Sequence, residues 1–264
     1  MKKIIIFVFC INLFSNELSK LAYDCDFGNY NACNELAHKL LKLENYKDYL
    51  ENSNYLLKKA CDNNISQACH SLSLANFNAR GIEKNTKEGI KLANKACDLG
   101  YFQSCVNLGN IYKFALANEN INTNMAFKYY EKACDNGLYE ACYQIATIWQ
   151  YTEPNNKKSN DILKYHKKAC DNGFSHSCYH LGYFYYFTKY VKQDYKKSYE
   201  YLKKSCDLNN DFACLLLGNM YEYAKGTKKD ISKAIESYKK SCQNRNFTAC
   251  NNYERLKKGI IWKN

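Results

Sequence analysis

The stretch Ser205-Cys206-Asp207-Leu208-Asn209-Asn210-Asp211-Phe212-Ala213-Cys214-Leu215-Leu216-Leu217-Gly218 decides the fold. Two cysteines enclose seven residues, a turn-forming asparagine stands three places after the first, and an apolar run follows the second. The layout recurs along the 264-residue chain: Cys25 with Cys33, Cys61 with Cys69, Cys97 with Cys105, Cys134 with Cys142, Cys170 with Cys178, Cys206 with Cys214 and Cys242 with Cys250. Successive pairs start 36 residues apart, apart from one interval of 37. A fixed period of this length marks an array of stacked units, each burying its apolar face against its neighbours.

Aligned on their cysteines, the units reveal what each column is for. The third residue after the second cysteine is Leu36, Leu72, Leu108, Ile145, Leu181 and Leu217. The fourth is Ala37, Ser73, Gly109, Ala146, Gly182 and Gly218, and the seventh is Leu40, Asn76, Tyr112, Trp149, Tyr185 and Tyr221. Spacings of three, four and seven form one face of a helix, here called helix A. Its small fourth position lets a neighbouring helix approach closely.

A second periodic segment, helix B, precedes each pair and ends in Ala or Ser followed by cysteine, from Ala60-Cys61 to Ser241-Cys242. Three residues past the first cysteine stand Gly28, Asn64, Gly100, Gly137, Gly173 and Asn209, with Arg245 the one departure. Gly and Asn tolerate the left-handed backbone that closes a helix. Each cysteine pair therefore straddles a tight turn between helix B and the next helix A. Two antiparallel helices joined by a short turn bring its members together, so pairing within each C-x7-C is expected. The rival use of cysteine is zinc, whose structural sites space cysteines two to four apart; this chain contains no C-x-x-C.

Leu217-Gly218-Asn219-Met220-Tyr221, Lys225-Gly226, Asp230, Lys233-Ala234, Tyr238 and Lys240 together resemble the Sel1-like repeat. Leu108-Gly109 with Tyr112, and Leu181-Gly182 with Tyr185, repeat its core. The cysteine pairs resemble those of the disulfide-stapled subgroup known as the Helicobacter cysteine-rich proteins. The resemblance spans residues 23–258 and implies an all-α, right-handed α/α superhelix of six to seven units. Departures are local: Pro154 replaces a glycine-rich loop, the third loop is one residue longer, and Asn76 interrupts an aromatic column. For function, the resemblance implies an adaptor that holds partners on helix A. Some of the cysteine-rich subgroup are described as penicillin-binding proteins with weak β-lactamase activity, which makes β-lactam hydrolysis the alternative.

Each reading sets its own requirement for a site. Serine β-lactamases need S-x-x-K with S-D-N and K-T-G companions. Ser237-Tyr238-Lys239-Lys240 is a lone S-x-x-K, and Ser237 occupies a column held elsewhere by Leu56, Leu92, Tyr129, Tyr165 and Tyr201. It reads as a core position. His176 and His180, four apart on a helix A, could share a face and bind a metal, with His166 on the preceding helix B, but no third strong ligand is evident. No cofactor site is expected. Lysines recur before the first cysteine at Lys58-Lys59, Lys95, Lys132, Lys167-Lys168, Lys203-Lys204 and Lys239-Lys240. Cations suit helix C-termini, and the period stacks them into a basic stripe. The expected partner surface is the non-core side of helix A, through Asn107, Asn110, Gln144, Thr147, His180 and Tyr183.

Lys2 and Lys3 precede an apolar run from Ile4 to Phe14, too short for an ordinary span and fitting an export signal over residues 1–22, cut between 15 and 22. That run contains Cys10, so its removal leaves fourteen cysteines, an even set for an oxidising compartment. Gly259-Ile260-Ile261-Trp262, in a tail over 259–264, is expected to close the last unit. The formal charge of +12 favours acidic partners. The sequence thus predicts a secreted or periplasmic monomer. Its partner is a protein, a peptide, or an anionic envelope polymer such as peptidoglycan. Nucleic-acid binding and stable membrane insertion are not expected.

Overall fold

The computed structural model describes residues 16–42, 47–117, 119–152 and 158–260. The run containing Cys10, together with Pro154, Ile261 and Trp262, lies outside them. Among the described residues all regular structure is helical. The chain forms two compact units, residues 1–136 and 137–264.

The first unit contains α1 (Asn16–Asp26), α2 (Tyr30–Leu41), α3 (Lys47–Asp62), α4 (Ser66–Asn78), α5 (Thr86–Asp98), α6 (Phe102–Phe114) and α7 (Thr123–Asp135). The second contains α8 (Tyr139–Thr152), α9 (Ser159–Asp171), α10 (Ser175–Phe187), α11 (Tyr195–Asp207), α12 (Asp211–Glu222), α13 (Ile231–Gln243) and α14 (Phe247–Lys257). Within each unit consecutive helices pack as antiparallel neighbours, odd-numbered B against even-numbered A.

The helix ends follow the repeat. Asn85, Asn122, Asp194 and Asp230 each accept a hydrogen bond from the backbone N–H three residues on, satisfying a donor that the first turn of a helix B leaves open. At the other end, φ is +66° at Asn64, +64° at Asn209 and +89° at Gly100. Arg245 takes the same conformation at +66°, so the turn imposes it even on an unsuited residue.

The cysteines bond across these turns. In the first unit Cys25 is joined to Cys33, Cys61 to Cys69 and Cys97 to Cys105, with Cα atoms 4.7, 4.6 and 5.0 Å apart. In the second unit Cys170 is joined to Cys178, Cys206 to Cys214 and Cys242 to Cys250, at 4.7, 4.6 and 4.6 Å. These separations lie in the ordinary range for a disulfide, so each bridge fits the turn that helix B and helix A make between them. Cys134, in the first unit, and Cys142, in the second, are both fully buried.

The third-position column is core throughout, from Leu36 to Leu217. At the fourth position a Cβ on Gly109 would lie 2.6 Å from the Tyr130 ring, and one on Gly218 would lie 2.5 Å from Tyr238. The small residue is therefore what allows helix B to lie so near.

The helices bear on both expected ends of the repeat array. Helix α1 begins at Asn16, and Ala22 is buried while Leu18 and Leu21 pack on the core. A cut after residue 22 would bisect a helix that belongs to the first repeat, whereas a cut after Ser15 leaves it whole. At the other end Ile260 is 53% exposed, and the remaining apolar residues of the expected cap, Ile261 and Trp262, lie outside the described residues.

Candidate functional site

Helix A positions in the first unit border a cavity of about 320 Å³ between α4 and α6. Leu74, Phe77 and Leu116 supply its apolar wall, and Asn107 and Asn110 its amides. Both asparagines line this cavity, but their surroundings differ. The Tyr130 hydroxyl, fully inside the core, donates to Asn110 Oδ1 at 2.6 Å. Tyr238 donates likewise to Asn219 Oδ1 at 2.7 Å. The fifth-position asparagine is thus an internal acceptor that saturates a buried tyrosine, a requirement of burying a phenol. Asn107, half-buried, stands at the cavity edge and remains a candidate contact residue.

The other four expected residues belong to the second unit. Thr147 is buried and donates its hydroxyl to the Gln144 carbonyl at 2.8 Å, which removes it from any contact surface. Gln144 is half-buried beside it. His180 and Tyr183 lie in a continuous aromatic cluster instead of an open polar face. The His180 ring stacks on His166 at 4.9 Å and meets Tyr143 at 5.7 Å, while Tyr183 meets Phe187 at 4.5 Å.

His166, fully buried, and His180, half-buried, form a polar kernel inside that cluster. His166 Nδ1 lies 3.2 Å from Ser177 Oγ, and its Nε2 lies 2.8 Å from Gln150 Nε2. Burial, then the neighbouring His180, holds His166 well below the usual imidazole range. Burial also lowers His180 to about 4, assisted by His176 and Lys189. Both rings are neutral at neutral pH and serve packing. Among the described residues no group of three or more His, Cys, Asp or Glu side chains is arranged to hold a metal.

The lone S-x-x-K is not assembled for nucleophilic chemistry. Ser237 is buried in the repeat core, and Lys240 Nζ donates to the Cys206 carbonyl at 2.7 Å. A general base must reach the proton it takes, and this ammonium is committed elsewhere. The lysine stripe itself has two fates. Lys59 and Lys95 reach back to the Cys25 and Cys61 carbonyls, while Lys58 and Lys167 pair with Asp62 and Asp171 one turn on.

Stacked antiparallel helix pairs, a disulfide across the B-to-A turn and helix A side chains bordering a cavity define a disulfide-stapled α/α repeat protein. The chain belongs to the Sel1 repeat family, whose sequence profile matches residues 66–101, 103–138, 163–174, 175–210 and 211–246.

The fold is similar to that of c5321, a protective antigen of uropathogenic Escherichia coli. The TM-score is 0.72 at 20% identity, over 90% of this chain and 59% of that one. The Helicobacter pylori cysteine rich protein B is 31% identical over 48% of this chain and 92% of its own, with a TM-score of 0.40. Cytochrome c oxidase assembly factor 7A of Xenopus laevis is 38% identical over 56 residues, which is 21% of this chain and 24% of that protein. The chain thus matches only about a quarter of this curated relative's length.

Proposed function

We propose that the protein is an exported adaptor that holds a protein or peptide against its helix A side. Sel1 repeats generally mediate protein interactions. The observation that carries the reading is the cavity between α4 and α6, where Leu74, Phe77 and Leu116 sit beside the Asn107 amide. An apolar wall with a few placed polar groups is how pockets combine affinity with orientation. Disulfides of this number persist in oxidising, extracytoplasmic compartments, which supports a periplasmic or secreted setting. No described helix is long and apolar enough to cross a membrane. The surplus of Lys and Arg favours an acidic partner, either a protein or an anionic envelope polymer such as peptidoglycan.

The test is capture of partners from an envelope extract, followed by measurement of each binary affinity with purified components. Leu74→Asp with Asn107→Ala should weaken a true partner at least tenfold without changing the circular dichroism spectrum. Unchanged affinity would overturn the helix A assignment.

A further inference from the structure

The turn between α3 and α4 carries a chemical signal that an adaptor does not use. Within Asp62-Asn63-Asn64-Ile65-Ser66 lies Asn64-Ile65-Ser66, an N-x-S acceptor for N-linked glycan, with an acidic residue two places before the asparagine. The chain holds one other such triplet, Asn246-Phe247-Thr248, and there the residue two places before is Asn244. Bacterial oligosaccharyltransferases select the form with the acidic residue. The two triplets are therefore unequal before any folding is considered.

The repeat explains why these residues stand here. Aspartate follows the first cysteine at Asp26, Asp62, Asp98, Asp135, Asp171 and Asp207, and the left-handed position holds asparagine at Asn64 and Asn209. Asn209 is followed by Asn210 and Asp211, with no hydroxyl at the place of Ser66. Only the turn between Cys61 and Cys69 combines all three residues. A transferase reads the residues themselves, whatever reason the fold has for each.

A glycan at Asn64 costs the folded turn no contact. Asp62, Asn63 and Asn64 are exposed. Asn63 Nδ2 donates to the Lys59 carbonyl at 2.9 Å, whereas no hydrogen bond among the described residues engages the Asn64 side chain. The turn is held by backbone instead: the Asn64 N–H donates to the Cys61 carbonyl at 2.9 Å, and that of Ile65 to Ala60 at 3.1 Å. Asn246 is the opposite case. Its Oδ1 accepts from the Ala249 N–H at 3.2 Å as the cap of α14, and its Nδ2 donates to Asp211 Oδ2 at 3.3 Å. A sugar on that nitrogen would displace a contact. Signal and free amide coincide at Asn64, and both are missing at Asn246.

Ser66 is the first residue of α4, and the Cys61–Cys69 bridge closes a nine-residue ring around the triplet. A transferase must hold the triplet extended to reach both the amide and the hydroxyl. The closed ring does not offer that shape, so transfer has to come first.

We propose that Asn64 is an N-glycan acceptor, modified during export before the Cys61–Cys69 bridge closes. The donor is a polyprenyl-diphosphate-linked oligosaccharide. Asn64 Nδ2 attacks its anomeric carbon, and a C–N bond forms as the bond from that carbon to the diphosphate oxygen breaks. Polyprenyl diphosphate leaves, and the amide proton passes to solvent. The timing rests on the export reading above.

The test incubates the reduced mature chain with a purified bacterial oligosaccharyltransferase and a polyprenyl-diphosphate oligosaccharide. The chain should gain the mass of one glycan, located at Asn64 by fragmentation. Asn64→Gln and Ser66→Ala should gain none, Ser66→Thr should still react, and Asp62→Asn should react at least tenfold more slowly. The oxidised chain should also react at least tenfold more slowly than the reduced one. Once oxidised, the glycosylated chain should keep the circular dichroism spectrum of the unmodified protein. No gain by the reduced wild type would overturn the proposal, as would a gain that survives Asn64→Gln. Equal rates for reduced and oxidised chains would overturn the stated order. This reaction needs no export, so its failure counts against the acceptor alone, whereas an uncut signal in cells counts against export alone.

Discussion

The ammonium of Lys95 donates to the backbone carbonyl of Cys61 at 2.7 Å, joining the end of α5 to the end of α3 across 34 residues. Lys59 does the same to Cys25 at 3.0 Å, and Lys240 to Cys206 at 2.7 Å. The last carbonyls of a helix have no partner within it and carry the negative end of its dipole. Each of these lysines therefore caps the helix B of the preceding repeat, not its own, and acts as a polar tie between units that otherwise meet through apolar surface.

Replacing Lys95 by Met keeps the aliphatic stem and deletes this tie. The expected loss is about 1–2 kcal/mol, the range for a partly exposed hydrogen bond to a charged donor. Urea unfolding would measure it. The loss should persist at 0.5 M salt, where the exposed Lys58–Asp62 pair would contribute nothing measurable.

Removing one staple tests the disulfides singly. The Cys97→Ala, Cys105→Ala double variant opens a nine-residue ring, and the chain-entropy relation assigns such a ring about 2.5 kcal/mol. Thermal unfolding should report a lowered Tm with the helical spectrum retained at 20 °C. Intact mass of the exported wild type should fall fourteen hydrogens below the reduced chain if Cys134 and Cys142 pair as well. The same spectrum locates the mature N-terminus, expected at Asn16.

Acid should loosen the second unit first. His166 and His180 are both held below their ordinary pKa, chiefly by burial, so the folded state keeps them neutral where the unfolded chain takes up protons. Stability should therefore be full above about pH 6.5 and decline as pH falls from there toward 4, the folded value of His180. His166→Gln should flatten that decline, as read from urea midpoints between pH 7 and pH 4.5. An unchanged slope would show that these rings do not govern it.

The last helix is held by an ion pair far more buried than the others among the described residues. Arg255 donates to both Glu222 oxygens at 2.7 and 2.8 Å, and Tyr238 donates to Oε2 at 2.9 Å. Glu222 is 1% exposed, so removing one partner strands a buried charge. Glu222→Ala should cost about 3–5 kcal/mol, with early loss of amide protection in α14. Arg255→Met combined with Glu222→Met should recover much of that loss.

The helix ends, turns, core columns and disulfide pairs were legible because the sequence states each of them six or seven times. Repetition separates a requirement of the fold from an accident at one position. The candidate site was legible only in part. Asn107 could be read as a candidate and does line the cavity, whereas the asparagine column at Asn110 and Asn219 serves buried tyrosines on the neighbouring helix B. Asn76 could be seen to break a column. Asn54 lies in a different column of a different helix, and only packing brings the two to one hollow between α3 and α5.

What the sequence determined by itself was the unit: its period, its two helices, its closing turn and the cysteines that staple it. These follow from local backbone chemistry and from apolar spacing along one helix. The tertiary structure alone decided which polar groups are consumed in holding repeats together and which are left over. Lys95 and Asn110 were both candidates for a partner and are both occupied, while Asn54 Oδ1 has no hydrogen-bond partner among the described residues. Hydrogen bonding between repeats is set by distance across the stack, and a column of residues read along the chain does not contain that distance.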